Sequence, residues 1–443
     1  MSALDGSVVN IALPVIGVTF KTNVANLEWV VTVYLLVISG ALLSFGRLGD
    51  LRGHKLVYLI GFIIFVISSA ICGLAPNVPV LITFRALQAI GGAMISSNAP
   101  AILTKSFPAA QRGQSLGLQA TMTYLGLTVG PSLGGWLTYH FSWRAVFYIN
   151  VPVGLLALWF GWRYIQNDHI HEQTERFDLV GAGTFMAGLI ALLLGLNQGQ
   201  SWGWTSPAIL ALLAAALLLL GAFLWIESHV PSPMLDLSLF RSRVFSLSVL
   251  SAVINYICLY TILFLMPFYL INGRLFNSEQ AGLLLTAQPI VMAVVAPISG
   301  TLSDRIGARL PGMVGMALMA VGLLLLSRLG PVSALPEVVF ALGLLGLGTG
   351  IFISPNNSAL MGSAPRQRQG VASGMLATAR SFGMVLGVGF AGAVFTTVQA
   401  ANLQAGADAA LFKGFQVTFL IAACIAAAGI LTTAGREKET EPR

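Results

Sequence analysis

Apolar residues along this chain gather into long runs, broken at short intervals by charged residues or by Pro- and Asn-rich stretches. A helix needs roughly 20 predominantly apolar residues to cross the hydrocarbon core of a bilayer. Marked on that scale, the pattern predicts fourteen spans. The first seven begin near Leu4, Leu27, Leu56, Val78, Ser115, Ala145 and Leu179. The second seven begin near Pro207, Val244, Ala281, Pro311, Leu335, Gly370 and Phe415. The expected fold class is an all-α polytopic membrane protein.

Composition narrows the function. Charged residues are 9% of the 443, hydrophobic residues 56%, and the mean hydropathy is +0.84. Soluble proteins carry about 25% charged residues, so this chain lacks the polar side chains to cover a water-facing surface. Soluble enzymes, secreted domains and nucleic-acid binders are excluded on that ground. Cys72, Cys258 and Cys424 all sit in apolar runs, which argues against a disulfide framework. The start Met1-Ser2-Ala3-Leu4-Asp5 lacks the basic region of a signal peptide. No phosphate-binding G-x-x-x-x-G-K-[ST] loop occurs, so ATP-driven transport is not expected, and no cofactor is implied. His169 and His171 form an H-x-H pair too small to suggest a metal site.

The placement of Lys and Arg sets the expected direction of the spans, because cytoplasmic loops are enriched in both. Of the 23 basic residues, sixteen fall in the even-numbered loops and the C-terminal tail, which includes Arg436. Only Lys21, Arg144, Arg274, Arg328 and Lys413 fall in odd-numbered loops. The reading is a multi-pass protein of the cytoplasmic (inner) membrane with both termini in the cytoplasm. The net charge of +7 is thus a topology signal. Arg85 and Arg380 are left over, inside spans 4 and 13.

A repeat divides the chain. Gly46-Arg47-Leu48-Gly49-Asp50-Leu51-Arg52-Gly53-His54-Lys55 follows span 2, and Gly300-Thr301-Leu302-Ser303-Asp304-Arg305-Ile306-Gly307-Ala308-Arg309 follows span 10. Both read G-x-L-small-D-x-x-G-x-basic, the mark of two related halves. The expected domains are a six-helix bundle over 1–165, a linker with two inserted spans over 166–243, a second six-helix bundle over 244–434 and a tail over 435–443. From Val244 to Gly300 is 56 positions, whereas from Met1 to Gly46 is 45. Span 1 is therefore expected to lack its first part, by a misassigned start or a real shortening.

Several stretches carry a family resemblance. The decad at Gly46 resembles motif A of the major facilitator superfamily, with Leu51 in place of the usual basic residue, which shifts the charge to Arg52. Gly117, Gly126, Gly130-Pro131 and Gly134-Gly135 in span 5 resemble motif C, the antiporter signature, at every fixed position. Leu4 to Pro14 resembles the span-1 motif of the fourteen-helix drug:proton antiporters. Arg85 to Gly92 resembles motif B, with Ala89 where Gly is usual. The resemblance covers essentially the whole chain. It implies two six-helix bundles that rock about a central site, with inward-moving protons driving hydrophobic drugs or toxic compounds outward. A monomer acting on small molecules and protons in a lipid bilayer is expected, without enzymatic activity.

The residues themselves suggest roles. Asp5 reads as the one carboxylate inside a span. Burial disfavours its charged form while a nearby cation restores it, so Asp5 can exchange a proton for a cationic substrate. Asn10 is expected to face the same cavity. Arg85 needs a partner inside the membrane, and the resemblance makes it part of proton coupling near span 1. Arg380 lies roughly 15 Å into span 13 at 1.5 Å per residue, with no obvious acidic partner. Gly126, Gly130 and Gly134 recur at i+4 as a smooth stripe that admits a close backbone, bent by Pro131. Taken with the resemblance, the stripe is expected to form a sealing and pivoting face between the halves. Gly46, Asp50 and Arg52, repeated in Asp304 and Arg305, are expected to latch the cytoplasmic side. Tyr34, Met122, Tyr124, Tyr256, Phe264 and Phe382 are candidates for a hydrophobic pocket. Trp29, Trp143, Trp202 and Trp204 fit interfacial belts. Two other readings stay open: a dedicated exporter of one anionic or zwitterionic metabolite or antibiotic, motivated by Arg380, and a truncated product that does not transport.

Overall fold

The computed structural model describes residues 1–106, 112–166, 179–230, 237–364 and 369–436. Its helices are α1 Ser2–Phe20, α2 Val24–Arg52, α3 His54–Leu74, α4 Val78–Ser106, α5 Arg112–His140, α6 Ala145–Tyr148, α7 Asn150–Tyr164, α8 Leu179–Trp202 and α9 Pro207–Glu227. They continue as α10 Arg243–Phe268, α11 Ser278–Leu285, α12 Ala287–Ile306, α13 Arg309–Leu326, α14 Leu335–Gly362, α15 Gln369–Ala401 and α16 Ala407–Ala434. Among the described residues there is no strand. An all-helical chain is what a bilayer demands, since every backbone N–H and C=O must be satisfied within its own segment.

Among the described residues, twelve helical stretches are long and apolar enough to cross a membrane. Two further helices stand where spans 1 and 5 are expected. These are α1, whose apolar part Leu4–Phe20 is shorter, and α5, of 29 residues. Breaks between helices are built from local polar chemistry. Asn23 caps α2 by accepting from Asn26 N at 3.0 Å. Ser206 and Ser242 cap α9 and α10 in the same way.

The chain forms two compact units, Met1–Met234 and Leu235–Arg443. In the first, α4 packs on α2 and α3, α1 on α5, α7 on α3, and α8 on α9 and α2. In the second, α14 packs on α12 and α13, α10 on α15, and α16 on α13. The pairs α2–α4, α3–α4, α1–α5 and α3–α7 of the first unit have counterparts in α12–α14, α13–α14, α10–α15 and α13–α16 of the second, so the repeat visible in the decads extends to these packings.

The decads explain their own glycines. Gly53 ends α2 at φ 94° and returns its N–H to Gly49 O at 2.9 Å. Gly307 ends α12 at φ 81° and returns its N–H to Ser303 O at 2.8 Å. A side chain strains that backbone, whereas glycine enters it freely. Fifteen residues after each decad begins, Gly61 and Gly315 mark helix crossings. A Cβ on Gly91 would stand 2.6 Å from Gly61 O, and one on Gly348 would stand 2.7 Å from Gly315 O. Absent side chains let α3 meet α4, and α13 meet α14, backbone to backbone.

Candidate functional site

Asp5 sits near the start of α1, and four other helices supply its surroundings. The spacing of three residues puts Arg85 and Gln88 on one face of α4. Asn150 is the first residue of α7, Ser69 comes from α3, and α2 contributes Tyr34 and the carbonyl of Val30. Arg85 Nη1 donates to Asp5 Oδ2 at 2.6 Å and to Gln88 Oε1 at 2.8 Å. Its Nε donates to Val30 O at 3.2 Å. The other carboxylate oxygen, Oδ1, accepts from Gln88 Nε2 at 3.0 Å and from Asn150 Nδ2 at 2.7 Å. Asn150 Nδ2 also donates to Ser69 Oγ at 3.1 Å, and Ser69 Oγ donates to Phe147 O at 2.9 Å. The guanidinium lies 4.0 Å from the centroid of the Tyr34 ring, in cation–π contact.

Asp5 and Arg85 are each only 1% exposed. Two charges leave water at a cost of several kcal/mol each, which their attraction offsets only if the remaining donors and lone pairs are also satisfied. Here the carboxylate receives three donors from two amides and a guanidinium. Gln88 faces a group that can only donate and one that can only accept, which fixes its amide orientation. A proton arriving on Asp5 removes the charge that holds Arg85 and converts an accepting oxygen into a donor among donors. The network then has to rearrange. The contacts that would change are those that tie α1 to α4 and α7.

Other expected residues fall elsewhere. Asn10 is buried on α1, yet it takes no part in this network, and among the described residues its Oδ1 has no hydrogen-bond partner. Five residues advance a helix by about 500°, at 3.6 per turn, so Asn10 and Asp5 point to different faces. The glycine stripe of α5 is filled by α1 of the same unit. A Cβ at Gly126 would meet Leu4, one at Gly130 would overlap Ser7, and one at Gly134 would meet Val8 and Ile11. Within the first unit, close packing of α1 on α5 accounts for these three glycines. Pro131 and Gly135 lie buried along it. The second unit repeats this arrangement, with Gly383 and Gly387 of α15 against Val253, Tyr256, Ile257 and Tyr260 of α10.

Gly46 is half-buried and makes only an ordinary contact with Ser97, while Arg52 and Arg305 are exposed. Gly117 lies on α5, while the side chains of Asp50, Asp304 and Tyr124, together with His169 and His171, lie outside the described residues. Arg380 is exposed on α15. Of the pocket candidates, Met122 is exposed, Tyr256 and Phe382 are half-buried, and Tyr34 belongs to the Asp5 network. Phe264 is fully buried beside Phe268, their centroids 5.4 Å apart, which makes it core. Trp143, expected in an interfacial belt, is buried as well. Arg436, expected in the C-terminal tail, is 3% exposed and donates to Asn356 Oδ1. Burial pushes its guanidinium down to about 10. Among the described residues no group of three or more His, Cys, Asp or Glu is arranged to hold a metal ion.

Sequence reasoning passed over Gln88, Asn150 and Ser69. The signal for Gln88 was its i+3 spacing from Arg85, and Asn150 lies in a stretch, Ser142 to Pro152, that also resembles the antiporter branch; Ser69 had no signal, because it joins the network only through the fold. It also passed over Glu28, a second carboxylate buried within a span. Its place one turn into α2 resembles a helix-end acid at the water interface.

The profile of the Major Facilitator Superfamily matches residues 1–179, 171–388 and 248–443. A riboflavin transporter of Clostridioides difficile, RibZ, is 34% identical over 399 residues, 89% of this chain and 85% of that protein. The multidrug resistance protein Stp of Mycobacterium tuberculosis is 34% identical over 405 residues, 91% of this chain and 75% of its own. A tetracenomycin C resistance and export protein of Streptomyces glaucescens is 32% identical over 397 residues, 90% of this chain and 74% of its own. A solved bacterial homolog of the human lysosomal transporter Spinster, inward-facing and unoccupied, superposes with a TM-score of 0.70. It covers 99% of this chain and 96% of its own at 17% identity, a likeness of fold.

Proposed function

This chain belongs to the Major Facilitator Superfamily, and we propose that it is a proton-coupled antiporter exporting hydrophobic drugs or toxic compounds by alternating access. The observation that carries the reading is the buried pair of Asp5 and Arg85, closed by Gln88 and Asn150. An intramembrane ion pair is costly and marks a proton or substrate pathway in transporters. In the proposed cycle a proton reaches Asp5 from outside, releases Arg85, loosens α1 from α4 and α7, and lets substrate leave. Deprotonation toward the cytoplasm restores the pair. The resistance and export proteins among the relatives support the drug-efflux direction. The excess of basic residues in even-numbered loops supports a cytoplasmic membrane with both termini inside.

Cells expressing the chain are expected to extrude ethidium, and extrusion should stop when the proton gradient is collapsed. Asp5→Asn, delivered to the membrane at normal levels, should abolish gradient-driven efflux. Extrusion that continues at full rate without a gradient rejects the coupling.

A second reading is favoured by Arg380, an exposed cation on α15. It is a dedicated exporter of one anionic or zwitterionic compound. Thermal stabilisation of the purified protein by anionic compounds and not by lipophilic cations would select this reading over the first.

A further inference from the structure

The proton chemistry of Asp5 leaves a second buried carboxylate unused. Glu28 lies on α2, about one turn from its start, and is 1% exposed. Its polar partner is Asn197 on the inserted helix α8, whose Nδ2 donates to Glu28 Oε2 at 3.0 Å. The same Nδ2 donates to Ala25 O at 2.9 Å. A backbone carbonyl can only accept, so the amide orientation of Asn197 is fixed, and its nitrogen faces the carboxyl. Asn197 Oδ1 in turn accepts from Gln198 Nε2 at 3.2 Å. Among the described residues no Lys, Arg or His forms an ion pair with Glu28.

Neighbouring charges do not compensate it. Of the elements packed on α2, α1 offers Asp5, committed to Arg85, and Lys21, exposed at its C-terminal end. From α4 comes Arg85, whose three side-chain hydrogen bonds go to Asp5, Gln88 and Val30 O, and the side chain of Lys105, at the other end of α4, lies outside the described residues. His54, Lys55 and Tyr58 of α3 lie beside the opposite end of α2, after the turn at Gly53, and Cys72 is the remaining ionisable group of that helix. On α2 itself, Tyr34 stacks on Arg85, Arg52 is exposed at the far end, and the side chains of Arg47 and Asp50 lie outside the described residues. The sequence of α8 holds no ionisable side chain. An ionised carboxylate buried with one amide donor and no cation is far more costly than a neutral carboxyl bearing the same bond.

We propose that Glu28 is a second proton-binding site, held by Asn197 of the inserted helix pair. Oε2 serves as the carbonyl oxygen that accepts from Asn197, and Oε1 carries the hydrogen. Losing that proton to water leaves a charge the closed α2–α8 contact does not accommodate, so deprotonation is coupled to separation of the two helices. The inserted pair is then a working part of the first unit. The role of this proton in transport rests on the antiport reading; its presence does not.

The test is infrared spectroscopy of the purified full-length protein through a pH titration, with no membrane gradient. The wild type is expected to show a titrating carbonyl band of a protonated carboxyl, lost in Glu28→Gln and retained in Asp5→Asn. Asn197→Ala keeps the carboxyl and removes its donor, so the band should move to higher frequency. This variant decides the matter if Glu28→Gln fails to fold. A band that survives Glu28→Gln overturns the site, and a band unmoved by Asn197→Ala overturns its attachment to α8. Efflux that ignores the proton gradient would reject antiport while leaving the Glu28 band in place, so the two failures are distinguishable.

Discussion

Ser7 of α1 occupies the volume that any side chain at Gly130 of α5 would need, and its hydroxyl donates to Leu127 O on the same helix at 3.3 Å. The pair fixes the register of α1 on α5, and α1 carries Asp5 two residues earlier. The glycine stripe therefore sets where the carboxylate of the site is held.

Substitutions along that stripe should rank by what they meet. Gly134→Ala drives a Cβ to 2.9 Å from Val8 O and 3.0 Å from Val8 Cα, backbone that has no room to yield. A loss of about 1–3 kcal/mol is expected, the usual cost of overpacking. Gly126→Ala, at 3.3 Å from Leu4 N, should cost less. Gly183→Ala on α8 meets nothing within 4 Å and should be neutral or slightly stabilising. Thermal unfolding in detergent gives the order; equal melting temperatures for all three would refute the packing argument.

Removing one member of the buried pair should be worse than removing both. Arg85→Ala leaves Asp5 buried without its cation, and about 3–5 kcal/mol of stability should be lost. Adding Asp5→Asn should recover a substantial part of it, since the stranded charge is gone. A double-mutant cycle read by thermal denaturation measures the coupling, and additive losses would mean that the two residues do not interact.

Arg380→Ala offers the contrast. The side chain is exposed, so its removal should change stability by no more than about 0.5 kcal/mol. A drop in melting temperature comparable to that of Arg85→Ala would show that Arg380 is held in a buried pair after all.

The paired turns should respond alike. Gly53→Ala and Gly307→Ala each force a Cβ onto a backbone at φ 94° and 81°. Each is expected to cost about 1–3 kcal/mol, seen as a lower unfolding temperature for both variants. A change confined to one of them would contradict the equivalence of the two units.

Much of the fold was legible along the chain because a bilayer imposes a linear code. Length and apolarity alone mark a span, and the breaks at Asn23, Ser206 and Ser242 carry their own caps. The repeat could be found from two decads because Gly53 and Gly307 answer to a local backbone angle, which sequence spacing preserves. Asp5 and Arg85 were legible as costly charges inside apolar runs. That they touch, and that Gln88, Asn150 and Ser69 complete the network, could not be seen in the sequence, since the partners lie up to 145 residues apart. The same holds for Glu28, which becomes interior only when α8 covers it. The chain by itself determined which segments enter the membrane, because that depends on each segment's own transfer free energy. Only the tertiary structure decided which polar groups share one buried volume, because that depends on which helix faces meet.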